Sequence, residues 1–271
     1  MTVQVRAVTP VDLPGIRAIS RATDQPDTES GVEAAYVELI LTIGRAVAAR
    51  GSEVLGWAGE VPTPSGTLLT DLFVDPAVHA RGVGSALLRA MWPAPAGGRY
   101  TFSSKHPAAL PLYVRAGLVP SWPLLYLSGP ADRLPLGVLR VDRVDARTAA
   151  AAVARLTGWG RPRTPLFEYW TRADDATALV VRDGSRLVAA GVGSPAVLTH
   201  LTCPDRGMAA GALYAAVAAL GTAAITFALP GPHPAMRTLL ACGFRIDDFD
   251  VHMRTPDVTL PIGGVYSPGL G

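Results

Sequence analysis

The sequence predicts an α/β fold of the α+β mixed-sheet kind, a central β-sheet flanked by helices, occurring twice in one chain. Three observations predict it. A β-rich run, a glycine loop and a helix-like run follow one another from Thr67 to Met91. A hairpin pattern recurs in each half, RAVAARGSEVLGWAGEV around Gly51-Ser52 and ALVVRDGSRLVAAGVGS around Asp183-Gly184. Each half then closes on His-Pro-Ala and a helix-like run ending in glycine, HPAALPLYVRAGL and HPAMRTLLACGF.

The elements follow in order. Val3 to Val8 alternates as a strand. Thr9-Pro10 supplies an N-cap and a proline at the first helical position, with Asp12 in the first turn. After the first hairpin, LLTDLFVDP is a strand ending at Pro76, and VLTHLTCP is its counterpart ending at Pro204. Arg99 to Lys105 is the next strand of the first half. Val138 to Val144 opens the second half as Val3 to Val8 opens the first, and an alanine-rich helix runs from Ala146 to Leu156. Between the copies lies SGPADRLPLG, with a linker's proline and glycine content. The expected division is 1–130, 138–256 and an irregular tail, 257–271, draped over a domain or frayed.

Composition narrows the function. The chain has 271 residues, 49% hydrophobic and 17% charged, enough to bury a large core. A net charge of +2 with scattered arginines predicts no nucleic-acid partner. No apolar run is long enough for a bilayer, so no membrane association is expected. The two cysteines, Cys203 and Cys242, lack metal-ligand spacing, which predicts a reduced, cytoplasmic protein with no metal.

The glycine loop carries the chemistry. Strand, glycine loop and helix aim backbone N–H groups at an anion, and glycine lets a phosphate approach the main chain closely. A P-loop requires Lys and Ser/Thr after its last glycine, whereas Gly84 is followed by Ser85 and Ala86. A dinucleotide fingerprint requires a third glycine and an acidic residue after the next strand, which ends instead in Ser103-Ser104-Lys105. A pyrophosphate-bearing ligand is still predicted; the other reading is an ordinary strand-to-helix turn.

Two segments together resemble the GNAT superfamily of acyl-CoA-dependent acyltransferases. The first is Leu72-Phe73-Val74-Asp75-Pro76, then His79-Ala80-Arg81-Gly82-Val83-Gly84, then Leu87-Leu88. The second is His106-Pro107-Ala108-Ala109-Leu110-Pro111-Leu112-Tyr113-Val114-Arg115-Ala116-Gly117-Leu118. His79 stands where the family has Gln or Arg, and His106 where it has Asn. The resemblance implies two tandem GNAT-like domains and acetyl-CoA, or coenzyme A, as donor. It implies direct acyl transfer to an amine, with the first domain active. Leu72, Phe73 and Val74 would offer main-chain groups to the thioester and pantetheine. The pyrophosphate would meet the N–H groups of Arg81, Gly82, Val83, Gly84 and Ser85, with His79, Ala80 and His106 beside the cofactor. Arg81 is a counter-charge or a surface arginine.

Tyr113 would be the general acid, because a phenol is protonated at neutral pH and can donate to a departing thiolate. Asp71, facing alongside Phe73, would be the base, or a carboxylate that holds the loop. Glu29, Glu33 and Glu38, in the segment expected to wall the acceptor, are alternative bases or would recognise a cationic substrate. His106 relays a proton or replaces the asparagine as a hydrogen-bond partner. In the second copy the loop is shorter and Leu239 stands for Tyr113, so that copy is expected to fold alike and catalyse nothing. Trp159, Phe167, Tyr169 and Trp170 cap the site or belong to the core. Expected partners are a small-molecule or peptide amine acceptor, in a monomer or weak homodimer. The competing reading is a catalytically weak CoA-binding regulatory or interaction protein.

Overall fold

The computed structural model describes residues 3–23, 32–93 and 97–271. In the first half β1 (Gln4–Ala7) leads to α1 (Leu13–Ala22) and α2 (Val32–Ile43). The sheet continues with β2 (Arg45–Arg50), β3 (Val54–Thr63) and β4 (Gly66–Val74). Then come α3 (Val83–Met91), β5 (Arg99–Ser103), α4 (Ala109–Arg115) and the long β6 (Val119–Pro130). The second half repeats the order as β7 (Arg140–Val144), α5 (Ala146–Thr157), α6 (Thr164–Trp170), β8 (Thr177–Asp183), β9 (Arg186–Gly193) and β10 (Leu198–Thr202). It ends with α7 (Ala209–Leu220), β11 (Ala224–Pro230), α8 (Met236–Ala241) and β12 (Arg245–Arg254).

Local chemistry sets these boundaries. Thr9 caps the first helical turn through a box in which its N–H and hydroxyl donate to Asp12 Oδ2, at 2.8 and 2.9 Å. Asp145 caps α5 by accepting from the Thr148 N–H at 2.7 Å, and Gly158 ends that helix at φ 66°. The two His-Pro-Ala steps are helix starts of one design. His106 Nδ1 accepts from the Ala108 N–H at 3.2 Å, and His233 Nδ1 from the Ala235 N–H at 3.0 Å.

Strand order reveals how the halves combine. One sheet reads β1-β2-β3-β4-β5-β12-β6-β11 and the other β10-β9-β8-β7. A parallel bridge from Val197 to Thr226 joins β11 to the start of β10. Read end to end, the order is a palindrome in which β1 to β6 match β7 to β12. β12 lies between β5 and β6, antiparallel to both, and β6 lies between β12 and β11. Each half therefore inserts its last strand beside the fifth strand of the other, and the expected division near residues 130–138 describes chain order rather than two closed sheets.

Two helical layers cover the combined sheet. Leu87, Leu88 and Met91 of α3, with Tyr113 of α4, pack on one side, and Leu213, Val217 and Leu239 of α7 and α8 continue that layer. On the opposite side α1 and α2 bury Ile16, Ile19, Val37 and Ile40, and α5 and α6 bury Ala149, Val153, Leu166 and Phe167. Tyr36 and Ile43 of α2 belong to both clusters of this second layer, so the two copies meet there. Residues 257–271 contain no helix or strand, yet Val258, Leu260, Val265, Tyr266 and Leu270 are buried. The tail is draped into the seam between the copies. Among the described residues no helix is long and apolar enough to cross a membrane.

Candidate active site

Two irregularities in β4 build the site. The register with β3 passes from Gly59↔Asp71 to Glu60↔Leu69, leaving Thr70 as an extra residue. Such a bulge re-aims the side chains that follow it. Leu69, Leu72 and Val74 all pack with the α3 layer, while Asp71 reaches Tyr36 of α2 and Phe73 packs with the α1/α2 layer. Without the extra residue, simple alternation would put Asp71 on the α3 side with Leu69. β10 bulges in the same way, its register passing from Leu198↔Gly193 to His200↔Val192 around Thr199. His200 thus occupies in the second copy the place of Asp71 in the first.

The second irregularity is a parting of strands. β4 and β5 pair in parallel only at Thr67↔Arg99 and Leu68↔Tyr100. Beyond that the Thr101 hydroxyl donates to the Leu69 carbonyl at 2.9 Å, and no further β4–β5 pairing follows. The edge of β4 at Leu72, Phe73 and Val74 therefore faces an opening between the strands.

Tyr113 and Asp71 converge on this opening from opposite layers. Tyr113, on α4, is 7% exposed. Burial raises its pKa, the negative charges of Asp71 and Asp250 raise it further, and the Thr101 hydroxyl opposes them. The phenol is thus protonated at neutral pH with two carboxylates close by. Burial lifts Asp71 to about 6, against the donors beside it, Thr70 and Tyr36. Tyr36 donates to Asp71 Oδ2 at 2.8 Å and also approaches the Gly269 carbonyl at 3.3 Å. Burial, then the charge of Asp71, pushes the Tyr36 phenol well above its ordinary value, so it remains a donor.

The predicted loop comes next to β4. Gly82 has φ 82° and Ala80 φ 62°, so the chain turns sharply before α3. Arg81 is exposed, and its N–H already leans on the Val78 carbonyl at 3.4 Å. Of the N–H groups expected to meet a pyrophosphate, that of Arg81 therefore has a long internal contact. The N–H groups of Val83, Gly84 and Ser85 open α3 and have no acceptor within the helix. Gly84 lies next to Val74 and Leu112, within the fork of the site. His79 turns back so that its Nε2 lies 2.9 Å from the Val74 carbonyl, and its ring meets that of His106 edge-on at 5.8 Å. The two departures from the family pattern therefore touch each other at the mouth of the opening.

Other expected residues divide. Glu29 lies outside the described residues; Glu33 falls on α2, with its side chain outside the description. Glu38 is exposed on α2. Phe167 and Trp170 are core residues of the second copy, whereas Tyr169 meets Tyr36 at 6.4 Å and walls the first site. Sequence reasoning missed Tyr36, Thr101, Tyr126 and Asp250. Tyr126 donates to Asp250 Oδ2 at 2.5 Å, and burial raises the Asp250 pKa. Both lie on the exchanged strands β6 and β12, and no local pattern announces strand exchange.

The second copy lacks this chemistry. Leu239 is fully buried where Tyr113 stands in the first copy. Burial drives the His200 pKa down to about 3, so its ring is neutral. In the shortened loop Asp205 accepts from the Gly207 N–H at 2.9 Å and pairs with Arg186 at 2.6 Å, so the loop ahead of α7 carries a carboxylate. Among the described residues no group of His, Cys, Asp and Glu is arranged to hold a metal ion.

No family model and no curated protein matches the sequence. Solved structures match its fold over nearly the whole chain. A proposed acetyltransferase from Pyrococcus horikoshii superposes with a TM-score of 0.73 at 16% identity, covering 99% of this chain and 96% of that one. A tandem GNAT protein from the clavulanic acid biosynthesis pathway gives 0.62 at 14% identity, covering 96% and 100%. A GCN5-related N-acetyltransferase from Anabaena variabilis gives 0.64 at 13% identity, covering 93% and 72%. The bulged β4, the parted strands and the palindromic sheet thus belong to a chain with the GNAT fold in tandem form.

Proposed function

We propose that this protein is a CoA-dependent N-acyltransferase that moves an acetyl or other short acyl group from acyl-CoA to a primary amine, with its first half active. One observation carries the proposal. A protonated phenol, Tyr113, and a carboxylate poised near neutrality, Asp71, flank the parted edge of β4, with the free N–H groups of α3 alongside. The residues fit the donor. Val83, Gly84 and Ser85 present donors to a pyrophosphate, and Gly82 leaves open space beside them.

The steps follow from these positions. Holding amine and thioester together supplies roughly 7–11 kcal/mol of the barrier. The amine attacks the thioester carbonyl carbon, and main-chain donors on the Leu72–Val74 edge stabilise the oxyanion. Asp71 accepts the proton that the ammonium must lose, and Tyr36 keeps the accepting oxygen in place. Tyr113 donates to the sulfur as the carbon–sulfur bond breaks. The products are the amide and the free thiol of CoA.

A second reading has its own observation. The His79 ring occupies the Val74 carbonyl and meets His106, which narrows the mouth. A regulatory protein on this scaffold would bind CoA without turnover. Steady-state assays with acetyl-CoA and a panel of amines, reading free thiol, separate the two. Amine-dependent thiol release that Tyr113→Phe and Asp71→Asn each depress supports catalysis. CoA binding by calorimetry with no thiol release for any amine supports the regulator.

A further inference from the structure

The second copy keeps a cavity next to the place where the first has its base. A space of about 70 Å³ lies between the α5/α6 face, the β3–β4 hairpin of the first half, and the tail. Pro64 and Pro261, both exposed, frame its mouth. His200 lines it from the bulge position that matches Asp71. Its ring stacks on Trp170 at 5.0 Å, and its Nε2 lies 2.8 Å from Thr202 Oγ1. The other ring nitrogen, Nδ1, is buried without a hydrogen bond of good geometry, and the Gly271 main chain is the polar group beside the ring.

Arg163 lines the same space just ahead of α6. One of its nitrogens, Nη2, donates to the Leu270 carbonyl at 3.0 Å. No carboxylate side chain lines the cavity, and desolvation pulls the Arg163 pKa down to about 10. A desolvated cation with no carboxylate side chain beside it is costly, and so is a buried ring nitrogen without a well-formed hydrogen bond. The rest of the lining is apolar, with Leu166, Phe167 and Leu260. The space is about half the ~150 Å³ of a cavity that takes benzene.

We propose that this cavity binds a short-chain monocarboxylate, of acetate to butyrate size, with its carboxylate on Arg163 and His200 and its alkyl end on Leu166, Phe167 and Leu260. The Thr202 hydroxyl donates to Nε2, leaving the proton on Nδ1, which donates to the carboxylate. The mouth and volume exclude nucleotides and aromatic acids. This site is independent of the acyl-transfer reading of the first half.

Calorimetric titration tests it, with sodium propionate against its neutral isostere propionamide at matched ionic strength. Propionate is expected to bind at least about ten-fold more tightly, the gain of a charge-assisted pair. Arg163→Gln should erase that preference, and Leu260→Phe should abolish binding of both. Because the isostere comparison uses the unaltered chain, it stands even if a variant misfolds. Equal affinity for the two compounds, or a folded Arg163→Gln protein that retains the preference, overturns the proposal. Gly271 also lines the cavity. Propionate binding that appears only when the chain is lengthened past Gly271 would mean that a main-chain carboxylate already serves Arg163, and overturns it too.

Discussion

Asp71 links the site's chemistry to its stability. Burial raises its pKa to about 6, while the Tyr36 hydrogen bond holds it from rising further. Only the carboxylate accepts a proton, so turnover should climb with pH through about 6. Asp71→Asn should remove that limb and slow turnover by roughly 100- to 10,000-fold. Tyr36→Phe should move the inflection upward, because it deletes a bond to the charged form. A pH–rate profile that inflects at the same value in wild type and Tyr36→Phe would exclude the pair from the mechanism. The stability consequence has the opposite sense. Between the ordinary 3.8 and about 6 the folded protein retains a proton that the unfolded chain releases. Stability is therefore lost as pH rises through this window, and at pH 7 the buried charge costs roughly 2–3 kcal/mol. Asp71→Asn should raise the melting temperature at pH 7 while it lowers the rate, and chemical denaturation at pH 7 and below the ordinary 3.8 measures the difference.

At the scale of elements, the first helical turn depends on one carboxylate. Asp12 is fully buried and pairs with Arg6 of β1 at 2.8 Å and with Arg50 of β2 at 2.7 Å, while accepting from Thr9. Burial works to raise its pKa, but Arg6, Thr9 and Arg50 together bring it down to about 2. Its contribution is present above the ordinary 3.8 and is lost as pH falls through about 2. Asp12→Asn should cost about 2 kcal/mol at neutral pH and lose that effect in strong acid; an equal cost at pH 2 would refute the ionic account. The Thr9-Pro10 cap and Asp12 were legible in the sequence because capping is local. So were the hairpins, the Gly82 turn and both His-Pro-Ala helix starts. The bulge at Thr70 was not legible, since one extra residue leaves no compositional mark. Nor was Tyr36, which reaches Asp71 from an element 35 positions away. The tail was expected to drape or fray, and its burial in the seam depends on two faces that only the folded copies create. Gly269 shows the consequence, since a Cβ there would lie 2.8 Å from the Tyr36 hydroxyl. Gly269→Ala should displace Tyr36 and raise the Asp71 inflection, as Tyr36→Phe does, with little change in fold by circular dichroism.

The whole molecule is governed by the exchange of strands. In an ordinary tandem protein each half would close its own sheet, and the connection between them would be a linker. Here β12 fills the gap between β5 and β6, and β6 fills the gap between β11 and β12. Removing the second half from the first would strip β6 of both neighbours and leave β5 unpaired on its β12 side. Exposed strand edges of that kind pair with other chains. The tail adds a second tie: Leu201 and Val265 exchange backbone hydrogen bonds at 3.1 and 2.9 Å, which hold it to the second half, while Val258, Leu260 and Tyr266 pack in the first half's core and the Tyr36 hydroxyl lies 3.3 Å from the Gly269 carbonyl. The Asp250 carboxylate beside Tyr113 is itself carried into the first site on β12. The copies should therefore melt as one cooperative unit despite their repeated sequence. Residues 1–137 and 138–271 expressed apart should each be aggregation-prone and inactive, while co-expression restores a soluble complex with thiol-releasing activity. Calorimetry of the intact chain should give a single transition whose van't Hoff and calorimetric enthalpies agree. Two separable transitions, or a soluble and active first half on its own, would show that the exchanged strands join the copies without making either depend on the other.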